Sequence, residues 1–369
     1  MTVAVHQLLP SLHVADASGA HTLAARDALR AAGFSSEVFV EHVDAPLAAE
    51  ARPVEELDAH VVRGQTLLVY QLAVGSTLVD LLMGRGEPLV VNYHNLTPAS
   101  FFWQWAPDWL GAVETGRQQL HRLVPRVTHA IAVSAFNERD LKAAGYRSTS
   151  VVPPFVEVSG GEPDAGASPS EPVTGGARSG ARWLFVGKLL PHKAAHDVVK
   201  AFACYRRTYD PDATLALVGG HPVASYAEAV RAFAAAAGVG AAVSLAGSVS
   251  REELRRHYRA AQVFVCLSDH EGFCFPLLEA MHHGVPVVAF DAGAVAATAG
   301  DAAVVLQDKD PALVAAAVRR AVGDAELRDR LVAAGRRRLE VFAPQHTAER
   351  FVDAIRTVLA RPGVLGASR

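Results

Sequence analysis

Short apolar runs alternate with helix-period segments along the whole chain. In the first half the runs Val3–Leu8, Glu37–Val40, Thr66–Tyr70, Pro88–Tyr93, Ala130–Ser134 and Ser150–Pro153 predict strands. Between them, Thr22–Ala32 and Phe136–Ala144 carry apolar residues three and four apart, the spacing of a helix with one buried face. Alternation stops at Val156–Ala181, a stretch rich in Gly, Ser, Pro and acids and nearly empty of large apolar side chains, which cannot cover a core. It resumes at once with strand candidates Trp183–Val186, Thr214–Val218, Val243–Leu245, Val263–Leu267, Val285–Phe290 and Ala303–Leu306. About the last sixty residues read as helix throughout. Strands that are apolar on both faces belong in parallel sheets covered by helices. The pattern therefore predicts an α/β protein of two doubly wound, Rossmann-like domains, over 1–155 and 182–345. A linker over 156–181 joins them, and a last helical segment, 346–369, is free to pack back on the first domain. Two such domains are expected to face each other across a cleft, with ligands at the carboxyl ends of the strands.

Length and composition add limits. At 369 residues the chain exceeds the roughly 250–300 residues at which single cores stop growing. A net charge of -3 supplies no field to attract nucleic acid. The three cysteines, Cys204, Cys266 and Cys274, show neither zinc-site spacing nor a disulfide framework, which fits a reducing, cytoplasmic setting. The opening MTVAVHQLLP has no signal-peptide pattern, and no run approaches the roughly 18 apolar residues of a membrane span. The composition predicts a soluble chain and leaves peripheral membrane contact and oligomeric state open. Its high alanine content points to a GC-rich bacterial source.

Candidate chemistry gathers at four predicted strand ends. In FVGKLLPHK a strand stops at Gly187, and Lys188 and Lys193 precede a helix expected near His192. Two ammonium groups beside a helix N-terminus suit a diphosphate. In CLSDHEGFCFPLLEAMHHG, Glu271 lies in a loop and Glu279 in the first turn of the helix that Pro276 opens. The backbone of Gly272, Phe273, Cys274 and Phe275 lies where it can cradle an anion. The plain alternatives are a turn residue for Glu271 and a helix-dipole partner for Glu279. The third segment, VVNYHNLTP, carries Tyr93, His94 and Asn95, and the fourth, HQLLPSLHVADASGAH, carries Asp16 and Gly19. Trp103 belongs to an aromatic cluster soon after His94, suited either to stacking on a sugar or to domain packing. Asp210-Pro211-Asp212 matches a metal-binding D-x-D pattern but reads as a turn. His192 and His196 are four apart without an acidic ligand, so no metal site is expected.

Taken together, F-V-G-K-L-x-x-x-K at Phe185–Lys193 and E-G-F-x-x-P-x-x-E-A-M at Glu271–Met281 resemble family 4 of the retaining glycosyltransferases (glycosyl transferases group 1), which has the GT-B architecture. The resemblance covers essentially the whole chain. It implies a hexosyl- or glycosyltransferase (EC 2.4) that moves a sugar from a nucleotide-diphosphate donor to an acceptor without a metal cofactor and with retention. It gives Lys188 and Lys193 the diphosphate, Glu271 the sugar hydroxyls, Glu279 the ribose, and Phe273 and Cys274 amides of the phosphate cradle. His94 would face the sugar from the other domain. Asp16, Gly19, Tyr93, Asn95 and Trp103 fall on the acceptor side. The acceptor itself (glycan, lipid or small natural product) is unidentified. Ala194 and Cys274 stand where the family usually has glycine, and Lys188 where arginine is commoner. An inactive nucleotide-sugar-binding homologue and an epimerase of the same fold are the alternatives. An NAD-dependent oxidoreductase is disfavoured because no strand is followed by G-x-G-x-x-G.

Overall fold

The computed structural model describes residues 2–14, 16–155 and 180–366. The expected linker lies outside them except for Gly180 and Ala181. Two compact units result. The first comprises Met1–Ser100, Asp108–Val156 and Phe342–Arg369; the second comprises Phe101–Pro107 and Glu157–Val341.

In chain order the first unit has β1 (Ala4–Leu12), α1 (Ala17–Ala31), β2 (Val38–Val43), β3 (Arg52–Pro53), α2 (Leu57–His60), β4 (Thr66–Leu72) and α3 (Leu78–Met83). It continues with β5 (Leu89–Tyr93), α4 (Leu110–Arg122), β6 (His129–Ala132), α5 (Ala135–Ala144) and β7 (Thr149–Val151). The strands form one parallel sheet in the order β3-β2-β1-β4-β5-β6-β7. Alternate strand residues serve opposite faces, as the strand period requires. Val5, Leu67, Val69 and Val90 join α1 on one face, whereas Leu8, Leu68, Tyr70 and Val91 join α3, α4 and α5 on the other.

The second unit runs β8 (Arg182–Val186), α6 (Ala195–Thr208), β9 (Thr214–Val218), α7 (Ala224–Ala236), β10 (Val243–Gly247), α8 (Arg251–Ala260) and β11 (Val263–Cys266). Then follow α9 (Phe275–His282), β12 (Val287–Phe290), α10 (Val295–Ala299), β13 (Ala303–Leu306), α11 (Pro311–Gly323) and α12 (Ala325–Val341). Its parallel sheet, β10-β9-β8-β11-β12-β13, has the doubly wound order that reverses between β8 and β11. Close approach at the strand ends demands glycine at Gly219: with φ at +145°, a β-carbon there would lie 2.0 Å from the Gly187 carbonyl. The last helix, α13 (Pro344–Leu359), belongs to the first unit, where Phe351, Val352, Ile355 and Val358 pack in the core with Val5 and Leu67.

Local chemistry moves several predicted boundaries. The strand expected to reach Ser134 stops at Ala132, because Ser134 caps α5 by accepting the Asn137 N–H. The helix expected near His192 starts at Ala195; Pro191–Lys193 instead forms a tight turn that ends in left-handed Ala194. Edge strand β3 was not legible, being two residues long and ending in Pro53. Asp210–Asp212 is a turn, its carboxylate accepting from the Ala181 and Asp212 amides. No helix among the described residues is long and apolar enough to cross a membrane.

The covering role of α13 is testable. Phe351→Ala removes a fully buried ring and is expected to cost about 3–5 kcal/mol, measured by urea denaturation followed by circular dichroism. A loss below about 1 kcal/mol would contradict the packing described.

Candidate functional site

The second sheet's switch point gathers the charged residues. Beyond β8, Gly187 donates its N–H to the Val218 carbonyl at 2.8 Å and the chain turns outward through exposed Lys188. The turn Pro191–Lys193 then brings Lys193 back beneath the loop that follows β11. There its ammonium donates to Glu271 Oε2 at 2.7 Å. Burial works against the lysine charge, but the carboxylate outweighs it and holds the ammonium above its ordinary value. Glu271 Oε1 accepts from the Ser268 hydroxyl at 2.8 Å.

The Glu271 backbone is fixed as firmly as its side chain. Its carbonyl accepts the Ala294 N–H at 2.9 Å, and a β-carbon at Gly293 (φ +63°) would lie 2.3 Å from that same oxygen. Gly293 is therefore obligatory, although a single glycine in DAGAV gave no signal in the sequence. Thr298 of α10 donates to the Phe273 carbonyl at 2.6 Å, and the Phe273 and Phe275 rings meet edge to face at 5.2 Å. Gly272 is half-buried at the loop's crest. Cys274 occupies the N-cap of α9 with φ at +72°, and no side chain caps the helix. An uncapped N-terminus with its positive dipole end is suited to an anion.

Glu279 does not join Glu271. It accepts from the Tyr258 hydroxyl at 2.8 Å, and burial pushes its carboxyl up. Tyr258, a residue of α8, was missed because only the fold brings it to α9. His192 and His196 are not a ligand pair. His192 meets the rings of Phe101, Phe102 and His270, and His196 Nδ1 lies 2.9 Å from the Tyr226 hydroxyl.

In the first unit His94 follows the end of β5. Its Nε2 donates to Gln71 Oε1 at 2.6 Å, which leaves Nδ1 as the ring's lone-pair nitrogen. Gln71 donates onward to Gln7 at 2.6 Å, and Gln7 to the Thr22 carbonyl at 2.9 Å. His21 stacks edge-on against His94 at 4.9 Å, and burial pushes the His94 pKa down to about 4. The ring is thus neutral at neutral pH. Gln71, which sets its tautomer, lay unrecognised inside an ordinary apolar strand.

The remaining candidates have local roles. Asp16 caps α1, accepting the Gly19 N–H at 3.1 Å and the Ser18 hydroxyl. Gly19 lies in that helix's first turn, and a β-carbon there would meet Leu12 at 2.8 Å. Tyr93 is fully buried, its hydroxyl donating to Asp140 and accepting the Leu96 N–H at 3.1 Å. Asn95, at φ +97°, donates to Asn137 at 2.8 Å. Trp103, expected on the first domain, lies in the Phe101–Pro107 segment of the second unit and is 68% exposed.

Residues 178–338 match the family model described as "Glycosyl transferases group 1". Among curated proteins, the chain is 32% identical over 247 residues to D-inositol 3-phosphate glycosyltransferase of Geodermatophilus obscurus, covering 65% of this chain and 54% of the relative. It is 35% identical over 159 residues to a GDP-mannose-dependent alpha-(1-6)-phosphatidylinositol monomannoside mannosyltransferase of Mycobacterium tuberculosis, covering 41% and 40%. The chain thus spans about half the length of these relatives. Among solved structures, sucrose-phosphate synthase of Thermosynechococcus elongatus superposes with a TM-score of 0.74 at 19% identity, covering 97% of this chain and 99% of that one. Anabaena HepE in complex with UDP and glucose superposes at 0.69 and 17% identity, covering 96% and 100%. These likenesses establish the two-sheet GT-B fold.

Two outcomes follow from the geometry. Ala194 is left-handed (φ 49°), a conformation that costs an L-residue about 1–2 kcal/mol. Ala194→Gly is therefore expected to hold or raise stability by about 1 kcal/mol, whereas Ala195→Gly in α6 should lower it by about 1 kcal/mol. Equal losses in paired urea titrations would refute the strain. Separately, burial pushes His94 and His129 down to about 4 from 6.5, so the unfolded chain binds more protons than the folded chain between those values. Their contribution to stability is present above about pH 6.5 and is lost as pH falls toward 4. The urea midpoint should fall across that window, and fall less in His129→Gln; an identical fall would exclude His129 as a source.

Proposed function

The chain belongs to the glycosyl transferases group 1 family through residues 178–338, and we propose that it is a cytoplasmic, retaining glycosyltransferase that uses a nucleotide-diphosphate sugar without a metal cofactor. The observation that carries this reading is the Lys193–Glu271 pair, set at the switch point beside the uncapped start of α9. Lys188, Lys193 and the α9 terminus take the diphosphate, with the amides of Phe273 and Cys274 completing the cradle. Positive charge and oriented N–H groups stabilise the leaving diphosphate electrostatically, the task a metal performs elsewhere.

Glu271 holds hydroxyls of the transferred sugar, exchanging its bond to Lys193 for bonds to the donor as the lysine turns to phosphate. Glu279 and Tyr258 take the ribose. In the first unit His94, neutral and with Nδ1 unprotonated, is equipped to accept a hydrogen bond from a hydroxyl rather than to supply charge. Retention follows from attack on the face the diphosphate leaves, the departing phosphate accepting the acceptor's proton. HepE is described in complex with UDP and glucose, and the mannosyltransferase relative is named for GDP-mannose, which makes UDP and GDP the bases to compare. The relative named for D-inositol 3-phosphate makes an inositol phosphate the first acceptor to assay.

A thermal-shift panel of UDP, GDP, ADP and dTDP with and without EDTA tests the donor site. A ligand at 100 times its Kd should stabilise by about 2.7 kcal/mol. One nucleotide should act, EDTA should not abolish its effect, and Lys188→Ala should weaken it without lowering the ligand-free melting temperature, since Lys188 is exposed. A shift lost on adding EDTA would sink the metal-free reading, and no shift with any nucleotide would sink the donor site. NMR of the product's anomeric proton then decides retention.

A further inference from the structure

Two thiols that lie eight residues apart in the sequence meet at the base of the Glu271 loop. Cys266 ends β11, Cys274 opens α9, and their sulfurs are 3.7 Å apart. Both are buried and unoxidised, and one carboxylate oxygen of Glu271 lies with them in a group whose ligand atoms are all within 4.8 Å of one another. We propose that Cys266, Cys274 and Glu271 form a binding site for a thiophilic divalent cation of the zinc class, one that takes no part in the transfer and, by engaging Glu271, competes with the donor sugar of the proposed function.

Geometry, charge and access support the site. Two zinc–sulfur bonds of about 2.3 Å at a tetrahedral angle hold their sulfurs about 3.8 Å apart, and the observed separation is 3.7 Å. Two thiolates and a carboxylate supply three protein ligands, and a water completes an open tetrahedron. Ser268 lies in the outer shell: it donates to Glu271 Oε1 at 2.8 Å and contacts the Cys266 sulfur at 3.5 Å, fixing the orientation of both ligands.

The loading step balances. The cation enters, two S–H bonds break, two metal–sulfur bonds form, and two protons leave to solvent. The charges of the ion and of the Lys193 ammonium then match those of the two thiolates and the carboxylate, so the pocket stays neutral when loaded, as it is when empty. The route in lies along Lys193, whose side chain is 23% exposed where that of Glu271 is only 6%. Cysteine spacing alone gives no sign of this site, because its ligands come from a strand end, a loop and a left-handed N-cap.

Cd²⁺ is the probe. The reduced, metal-stripped chain is titrated with Cd²⁺ while the ultraviolet sulfur-to-cadmium absorption band and proton release are recorded. The expected result is a band that saturates at one ion per chain, release of two protons per ion, and displacement by Zn²⁺. The band should persist in Cys204→Ser and be lost in Cys266→Ala. Cys274→Gly, which suits the left-handed backbone at that position, provides a second loss variant should Cys266→Ala not fold. No band in the wild type, or a band that survives in a folded Cys266→Ala or Cys274→Gly protein, overturns the site. The readout involves neither nucleotide nor activity, so the donor reading stands or falls separately.

Discussion

The buried ion pair between Lys193 and Glu271 is the constraint around which the second unit is organised. A mostly buried pair contributes little net stability, but losing Lys193 strands the Glu271 carboxylate, whose side chain is only 6% exposed. The surroundings accordingly fix both members. Gly293 admits the Glu271 carbonyl where any side chain would collide, Ala294 donates to that carbonyl, and Ser268 orients the carboxylate. On the other side, a single 3-10 turn, Pro191–Lys193, closed by left-handed Ala194, delivers Lys193. An arrangement so restrained, with so little return in stability, is understandable where the two charges must be ready to exchange partners.

Backbone strain has the same distribution. Among the described residues, the non-glycine positions with left-handed backbone are Asn95, Ala194 and Cys274. Asn95 directly follows His94, Ala194 directly follows Lys193, and Cys274 caps α9 beyond Glu271. Each costs of order 1–2 kcal/mol and persists only because its neighbours determine it, a pattern that concentrates at functional sites. It also explains why glycine is the usual residue at two of these places in the family resembled. This chain keeps the conformation and accepts the strain, and at Cys274 it gains a thiol facing Cys266.

Most of the architecture was legible because parallel strands covered on both faces read as continuous apolar runs. What was not legible depends on which elements become neighbours. Lys193 and Glu271 are 78 residues apart and meet only because β8 lies beside β11. Tyr258 reaches Glu279, and Gln71 reaches His94, for reasons of the same kind. The motif residues could be picked out one by one, but their pairing could not. Of the residues read as acceptor-side, Asp16 caps a helix and Tyr93 lies in the core.

The two units also differ in how they hold polarity. In the first, the groups behind His94 are amides and a second imidazole, linked from Thr22 through Gln7 and Gln71, and burial keeps the imidazoles neutral. In the second, the polar groups are charged and compensate one another. A neutral, tautomer-fixed histidine is a poor proton acceptor at pH 7 but a well-directed hydrogen-bond partner, since its lone pair and its N–H each have one assignment. This division agrees with the transfer proposed above, in which the leaving group itself takes the acceptor's proton and charge stabilisation rests on the lysines and the helix terminus. It also makes Gln71 a positioning residue: an amide that fixes Nε2 as the protonated nitrogen determines what Nδ1 can offer.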